Sequence, residues 1–171
     1  MAGKVILPPN YPNDPLIFLA GPIQGAPEWH DPAIRIIHAK DLEINIASPS
    51  RSVSEEYLNQ NLAKFGNRFP EQVDWESKHL RQAADHGAIL FWMPKEKTHF
   101  CERAYAQTTR FELGEWATKS KYGKCDLAVG IQPGFPGESY IRRRLHQDLP
   151  DLKIHITLRE TCWDAIEKAR S

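Results

Sequence analysis

Gly87-Ala88-Ile89-Leu90-Phe91-Trp92-Met93 is the most strand-like run in the chain. Pro94 breaks it, because proline cannot donate to a sheet ladder. Ahead of it, a stretch opening at Phe69-Pro70 and ending at Asp85-His86 repeats Val73, Glu76, Leu80 and Ala83/Ala84 at helical spacing. Behind it comes a mixed-charge loop, 95–106, and then Thr108-Thr109-Arg110-Phe111-Glu112-Leu113-Gly114-Glu115-Trp116. That segment predicts a helix from about Thr109 to Lys119. Thr109 has the chemistry of an N-cap, and Glu112 the spacing of its capping-box partner.

The same alternation extends outward in both directions. Leu16-Ile17-Phe18-Leu19-Ala20 is apolar throughout, as expected of a strand buried on both faces of a parallel sheet. A helix is predicted from Asp31 to Asp41, with Asp31 as N-cap and Pro32 at its first position. Glu43 to Ala47, Cys125 to Gly130 and Lys153 to Ile156 read as further strands. Glu138 to Gln147 and Thr157 to Arg170 read as further helices, the last capped by Thr157 or Thr161. Strand and helix thus alternate five times. The expected fold is a single-domain, three-layer α/β sandwich of flavodoxin or Rossmann-like type. Its five-stranded parallel sheet should have the order 2-1-3-4-5. Residues 1–15 read as an irregular lead-in to a domain spanning 16–171, and 53–68 as a lid insertion over the sheet edge.

Composition narrows the functional classes. The 171 residues suit one domain with a real core. Lys+Arg and Asp+Glu number 22 each, so no net charge draws the chain to nucleic acid or an anionic membrane. The apolar runs are too short to span a bilayer, and the N-terminal stretch lacks the apolar core of a signal peptide. Three cysteines without CxxC spacing fit a reducing cytoplasm better than a disulfide framework. A soluble cytoplasmic protein is the expectation.

The motif search is mainly exclusionary. Neither GxGxxG nor GxxxxGK[ST] occurs, which disfavours dinucleotide and P-loop sites. The seven histidines form neither HxxxH nor HExxH, so no metal is expected. No GxSxG marks a serine nucleophile. Cys125 reads as strand core, and Cys162 sits on the last helix. Carboxylates are the better material: Asp74, Glu76, Asp85, Glu112 and Glu115 lie on the helices flanking the third strand. Ligands in such sheets bind beyond the carboxyl ends of the strands. That edge collects Gly21-Pro22-Ile23-Gln24, Ser48-Pro49-Ser50, the loop after Pro94 with Glu112, and Gln132-Pro133-Gly134. Cleavage of a glycosidic bond uses two carboxyl groups, one to attack or stabilise the anomeric carbon and one to assist the leaving group. A Glu in the first helical turn would be held ionised by the helix dipole and by backbone N–H groups. Trp75 is open to two readings, a base-stacking ring or a core aromatic.

Several short pieces then fall in a fixed order. They are Ile17-Phe18-Leu19-Ala20-Gly21-Pro22-Ile23; Gln72-Val73-Asp74-Trp75-Glu76 with His79-Leu80 and Ala84-Asp85; Phe91-Trp92; Thr109 with Glu112-Leu113-Gly114; and Gly123-Lys124. The series resembles the nucleoside 2-deoxyribosyltransferase-like family over about residues 16 to 145. The resemblance implies action at the N-glycosidic bond of a small-molecule nucleoside or nucleotide. Glu112 takes the nucleophile's place, attacking C1′ to form a covalent glycosyl-enzyme that a second base or water resolves. Glu76 is the second catalytic candidate. Gly21, Pro22, Ile23 and Gln24 would form the sugar or phosphate pocket, with Asp74, Trp75 and Asp85 completing the substrate-binding set. No cofactor is implied, and a homo-oligomer, dimer or higher, is. Two positions depart from the family pattern. Phe18 stands where a tyrosine often holds the nucleophile, and Ala106-Gln107-Thr108 stands where an aspartate often binds sugar hydroxyls. The resemblance therefore covers a transferase, an N-glycosidase and a non-catalytic nucleotide-binding module.

Overall fold

Successive residues of a strand face opposite sides of its sheet, so a run that is apolar at every position needs cover on both sides. The computed structural model, which describes residues 5–6, 15–49 and 69–171, supplies that cover. In chain order the elements are β1 Val5–Ile6, β2 Leu16–Ala20, α1 His30–Lys40, β3 Asn45–Ala47, α2 Phe69–His86, β4 Gly87–Met93, α3 Gln107–Lys121, β5 Leu127–Ile131, α4 Glu138–Asp148, β6 Ile154–His155 and α5 Leu158–Ala169. All strand pairs are parallel, in the order β1-β3-β2-β4-β5-β6. The five strands expected from the sequence therefore stand in the expected order 2-1-3-4-5. Val5–Ile6 lies inside the stretch read as an irregular lead-in and adds a sixth, two-residue strand, with Val5 opposite Ile46. The expected lid at 53–68 falls outside the described residues.

Two cores flank the sheet. Phe18, Ile89, Phe91, Met93 and Val129 face α2, α3 and α4, where Trp75, Leu80, Leu113, Trp116 and Leu145 close over them. Ile17, Leu19, Leu90, Trp92 and Ala128 face α1 and α5, against Trp29, Ala33, Ile37, Cys162 and Ile166. Each fully buried large side chain contributes roughly 1.5–3 kcal/mol of burial energy, so the two layers outweigh any single polar contact below. Gly130 lets α5 approach closely. A Cβ there would lie 2.0 Å from Thr161 Oγ1 and 2.6 Å from the Trp92 ring.

Helix starts separate the expected caps from the observed ones. Thr157 caps α5: its extended backbone leaves the hydroxyl free to accept the Glu160 N–H at 3.3 Å, and the hydroxyl donates to the Glu160 carboxylate at 2.8 Å. At α1 the expected cap, Asp31, is already in the first turn, and Trp29 occupies the N-cap with no side-chain cap bond. Trp29 is buried and its indole N–H is tied to the Pro22 carbonyl at 2.9 Å, which fixes where the chain enters the helix. At α3 the expected cap, Thr109, is the third helical residue and is buried. Ala106 sits at the N-cap instead, with a left-handed φ of 57°. It is the one non-glycine residue with positive φ among those described. That conformation costs an alanine about 1–2 kcal/mol. Burial of Ala106, the Arg110 N–H to its carbonyl at 2.9 Å, and the Arg110 side chain donating to the Tyr105 and Pro136 carbonyls hold it in place.

Candidate active site

The helix starts decide what faces the carboxyl edge of the sheet. A cavity of about 310 Å³ opens there, at the small end of the range for small-molecule sites. Phe18 and Ala20 of β2 form its floor, and Gly21–Gln24 form the adjoining wall. On α2 the lining residues are Gln72, Val73 and Glu76, and on α3 they include Thr108, Thr109 and Glu112. Both sets follow the spacing i, i+1, i+4 that keeps residues on one helix face. Each helix thus offers a pair of side chains and, one turn further in, a carboxylate. Pro49, Arg103, Ala106 and Gln107 complete the lining.

The wall after β2 is held from behind. Gly21 is close-packed: a Cβ would meet the Trp92 carbonyl oxygen at 2.4 Å and the Trp29 ring at 2.6 Å. The Trp29 indole bond to Pro22 fixes the next residue of that wall. Gly25, with φ of 82°, turns its carbonyl to the N–H groups of Lys97 at 2.8 Å and Thr98 at 3.1 Å. The loop after β4 is thereby fastened to the loop after β2. Tyr105 anchors the far end of the same loop by donating its hydroxyl to the Pro94 carbonyl at 2.9 Å.

Electrostatics differ from the expectation. Glu112 lies six residues past the N-cap, beyond the first turn where the helix dipole acts. Burial pushes its carboxyl up, and the charges of Glu76 and then Glu115 push it further, to about 7. Among the described residues nothing donates a hydrogen bond to it, and Phe18 has no hydroxyl to do so. The expected dipole-stabilised carboxylate is instead a desolvated one, half protonated near neutrality. Glu76 accepts a bond from the Gln72 side-chain amide at 3.0 Å.

Gly21, Pro22, Ile23, Gln24, Glu76 and Glu112 come together on this cavity. Three residues of the expected set do not. Asp74 is exposed on α2, out of phase with the 72/73/76 face. Trp75 is core: it lies 6.2 Å from the Phe18 ring and stacks on His79 at 4.0 Å, supporting the cavity floor from beneath. Asp85 lies nine residues beyond Glu76, about 14 Å along the helix, at the amino ends of the strands. Gln132 lies outside the lining and accepts the Lys95 N–H at 2.8 Å. Gln107 and Thr108 stand where the family pattern often has a sugar-binding aspartate, whereas Arg103 carried no motif to mark it as a lining residue. Arg103 had only its place in a loop at the functional edge.

Other chemistries find little material. Burial pushes the Cys125 and Cys162 thiols up to about 11 and about 12, which leaves them as neutral packing groups. Among the described residues no three His, Cys, Asp or Glu side chains are grouped to hold a metal ion. No helix among them is long and apolar enough to cross a membrane.

Comparison with curated proteins finds no match. A family model described as "nucleoside 2-deoxyribosyltransferase like" matches residues 14–128, well over half of the chain. Every residue that lines the cavity falls inside that span. The chain belongs to the nucleoside 2-deoxyribosyltransferase-like family.

Proposed function

We propose that this protein breaks the N-glycosidic bond of a nucleoside or nucleotide through Glu112. The observation that carries the reading is the meeting of Glu112 and Glu76 on one cavity whose third wall is Gly21–Gln24. Two carboxyl groups in unequal environments divide the work of glycoside cleavage. An ionised Glu112 oxygen forms the bond to C1′. The C1′–N bond breaks with its electron pair going to the base; in the reactive microstate the one proton shared by the pair sits on Glu76, which gives it to the departing base. A second base or water then attacks C1′ and releases the Glu112 carboxylate. The pair shares its protons, so its pH dependence belongs to both residues together. In this reading the protein is a homo-oligomer. Ile23 and Val73, on the cavity lining, are 48% and 41% exposed and give a neighbouring subunit apolar surface to cover.

Hydrolysis is favoured over transfer by Phe18. Its ring lies in the lining where a hydroxyl would otherwise hold the nucleophile, and it presents no polar group to an incoming base.

The test is incubation with 2′-deoxynucleosides, ribonucleosides and their 5′-monophosphates, with and without a free acceptor base. Chromatography then measures free base and exchanged product. Glu112→Ala should lower the rate by about three orders of magnitude or more, as loss of a covalent nucleophile does. Equal rates in the two proteins would remove Glu112 from the reaction. Binding without any base release would mark a non-catalytic nucleotide-binding module.

A further inference from the structure

Arg103 is the one cationic side chain among the described residues that line the cavity. Its Nη1 donates to Gln24 Oε1, across 79 residues of sequence, joining the loop before α3 to the loop after β2. That acceptor is a neutral amide. Among the described residues no carboxylate pairs with Arg103. A guanidinium offers five N–H donors in a planar fork, and one bond to an amide leaves most of that fork open.

Arg103 and Glu112 lie apart along the entry to α3. Glu112 is six residues past the N-cap Ala106, about 9 Å along α3, and Arg103 precedes that cap. Arg103 and Glu112 line the same cavity, so a nucleotide whose C1′ meets Glu112 has its remaining groups along a wall that includes Arg103. Nucleobases and sugars are neutral near pH 7, so neither satisfies a free guanidinium. The phosphate monoester of a nucleotide is the part that does, and it matches the guanidinium fork with two parallel bonds.

We infer that Arg103 is the specificity-determining residue for a 5′-phosphate, making the substrate a nucleoside 5′-monophosphate rather than a nucleoside. This inference rests on the N-glycosidic reading of the cavity. Gln24 holds the guanidinium at the rim, and the phosphate takes the open side of the fork.

The test compares a 2′-deoxynucleoside with its 5′-monophosphate, in the wild type and in Arg103→Gln. Both kcat/KM and equilibrium affinity by calorimetry are measured, with inorganic phosphate as a further titrant. The wild type should prefer the monophosphate by about tenfold or more, the scale of one charged hydrogen-bonded contact. Arg103→Gln should remove most of that margin, chiefly through KM. Higher ionic strength should shrink it in the wild type, because the rim is exposed. Inorganic phosphate alone should bind far more weakly than the monophosphate. Arg103 is exposed, so the variant retains the fold, and matching melting curves check this. A wild type that treats the two ligands alike, or a margin equal in both proteins, overturns the inference. Absence of base release from either ligand counts against the N-glycosidic reading alone. The binding margin then still decides the role of Arg103.

Discussion

Glu112→Gln should make the free protein more stable at pH 8 while removing its chemistry. The folded state holds the Glu112 carboxyl near 7, against an ordinary value of 4.5, first because it is buried and then because Glu76 and Glu115 are negative. Between those two values the folded chain binds more protons than the unfolded chain, so stability falls as pH rises. By pH 8 the accumulated loss is about 3 kcal/mol, at 1.36 kcal/mol for each tenfold change in proton affinity. Glutamine has the same shape and no charge to desolvate. The gain at pH 8 should therefore approach that 3 kcal/mol, or about 6–12 °C in melting temperature for a domain of this size. At pH 4.5 only half of the unfolded population carries the charge, and the gain shrinks to well under about 1 kcal/mol. Urea denaturation of both proteins at the two pH values gives the comparison directly. Equal stability at pH 8 would show that the carboxylate is not desolvated. A gain that is the same at both pH values would show that the benefit is packing, not charge.

Glu76→Gln should bring the Glu112 titration midpoint below 7 but keep it above 4.5, because burial is the larger cause and remains. Carbon-13 NMR of the glutamate carboxyl groups measures this, and an unchanged midpoint would mean that the two residues do not interact. Trp29→Phe keeps a ring against Gly21 but removes the indole N–H from the Pro22 carbonyl. Leaving that buried acceptor unpaired should cost about 1–3 kcal/mol of stability and raise KM more than it lowers kcat. A melting curve and steady-state kinetics test both parts, and an unaltered KM would separate Trp29 from the cavity wall.

Much of the fold was legible because its signals are local. Leu16–Ala20 and Gly87–Met93 are apolar at every position, and only a sheet covered on both faces uses such runs. Their separation by helical segments then restricts the connections to right-handed crossovers. Val5–Ile6 could not be read in that way. Two residues carry no periodicity, and their pairing depends on Ile46 and Ala47, some forty positions on. The site divides along similar lines. Gly21–Gln24 and Glu112 follow from strand ends and helix starts, which the sequence marks. Asp74 and Asp85 are the right residue type on the right helix, but one is out of phase and the other is at the wrong end. Trp75 was open to two readings, and contact with Phe18 and His79 decides for the core. Arg103 depends on two loops meeting through Gln24, which no local pattern reports.

The two threonine–glutamate pairs show how backbone context sets the role of the same spacing. Thr157 and Glu160 meet at a helix start, where the Thr157 backbone is extended and both side chains lie in solvent. That glutamate completes the cap at the helix start. Thr109 and Glu112 have the same separation, yet the left-handed turn at Ala106 starts α3 three residues earlier. Thr109 is then drawn into the wall of the cavity and cannot cap. Glu112 loses its capping partner, moves beyond the reach of the helix dipole, and shares the cavity with Glu76. Desolvation there makes its negative charge expensive, which is a liability for folding. In the proposed reaction an electrophilic sugar carbon would relieve the same liability by taking up the carboxylate in a bond. Much of the reactivity proposed for Glu112 thus originates three residues before Thr109, in the conformation of one alanine.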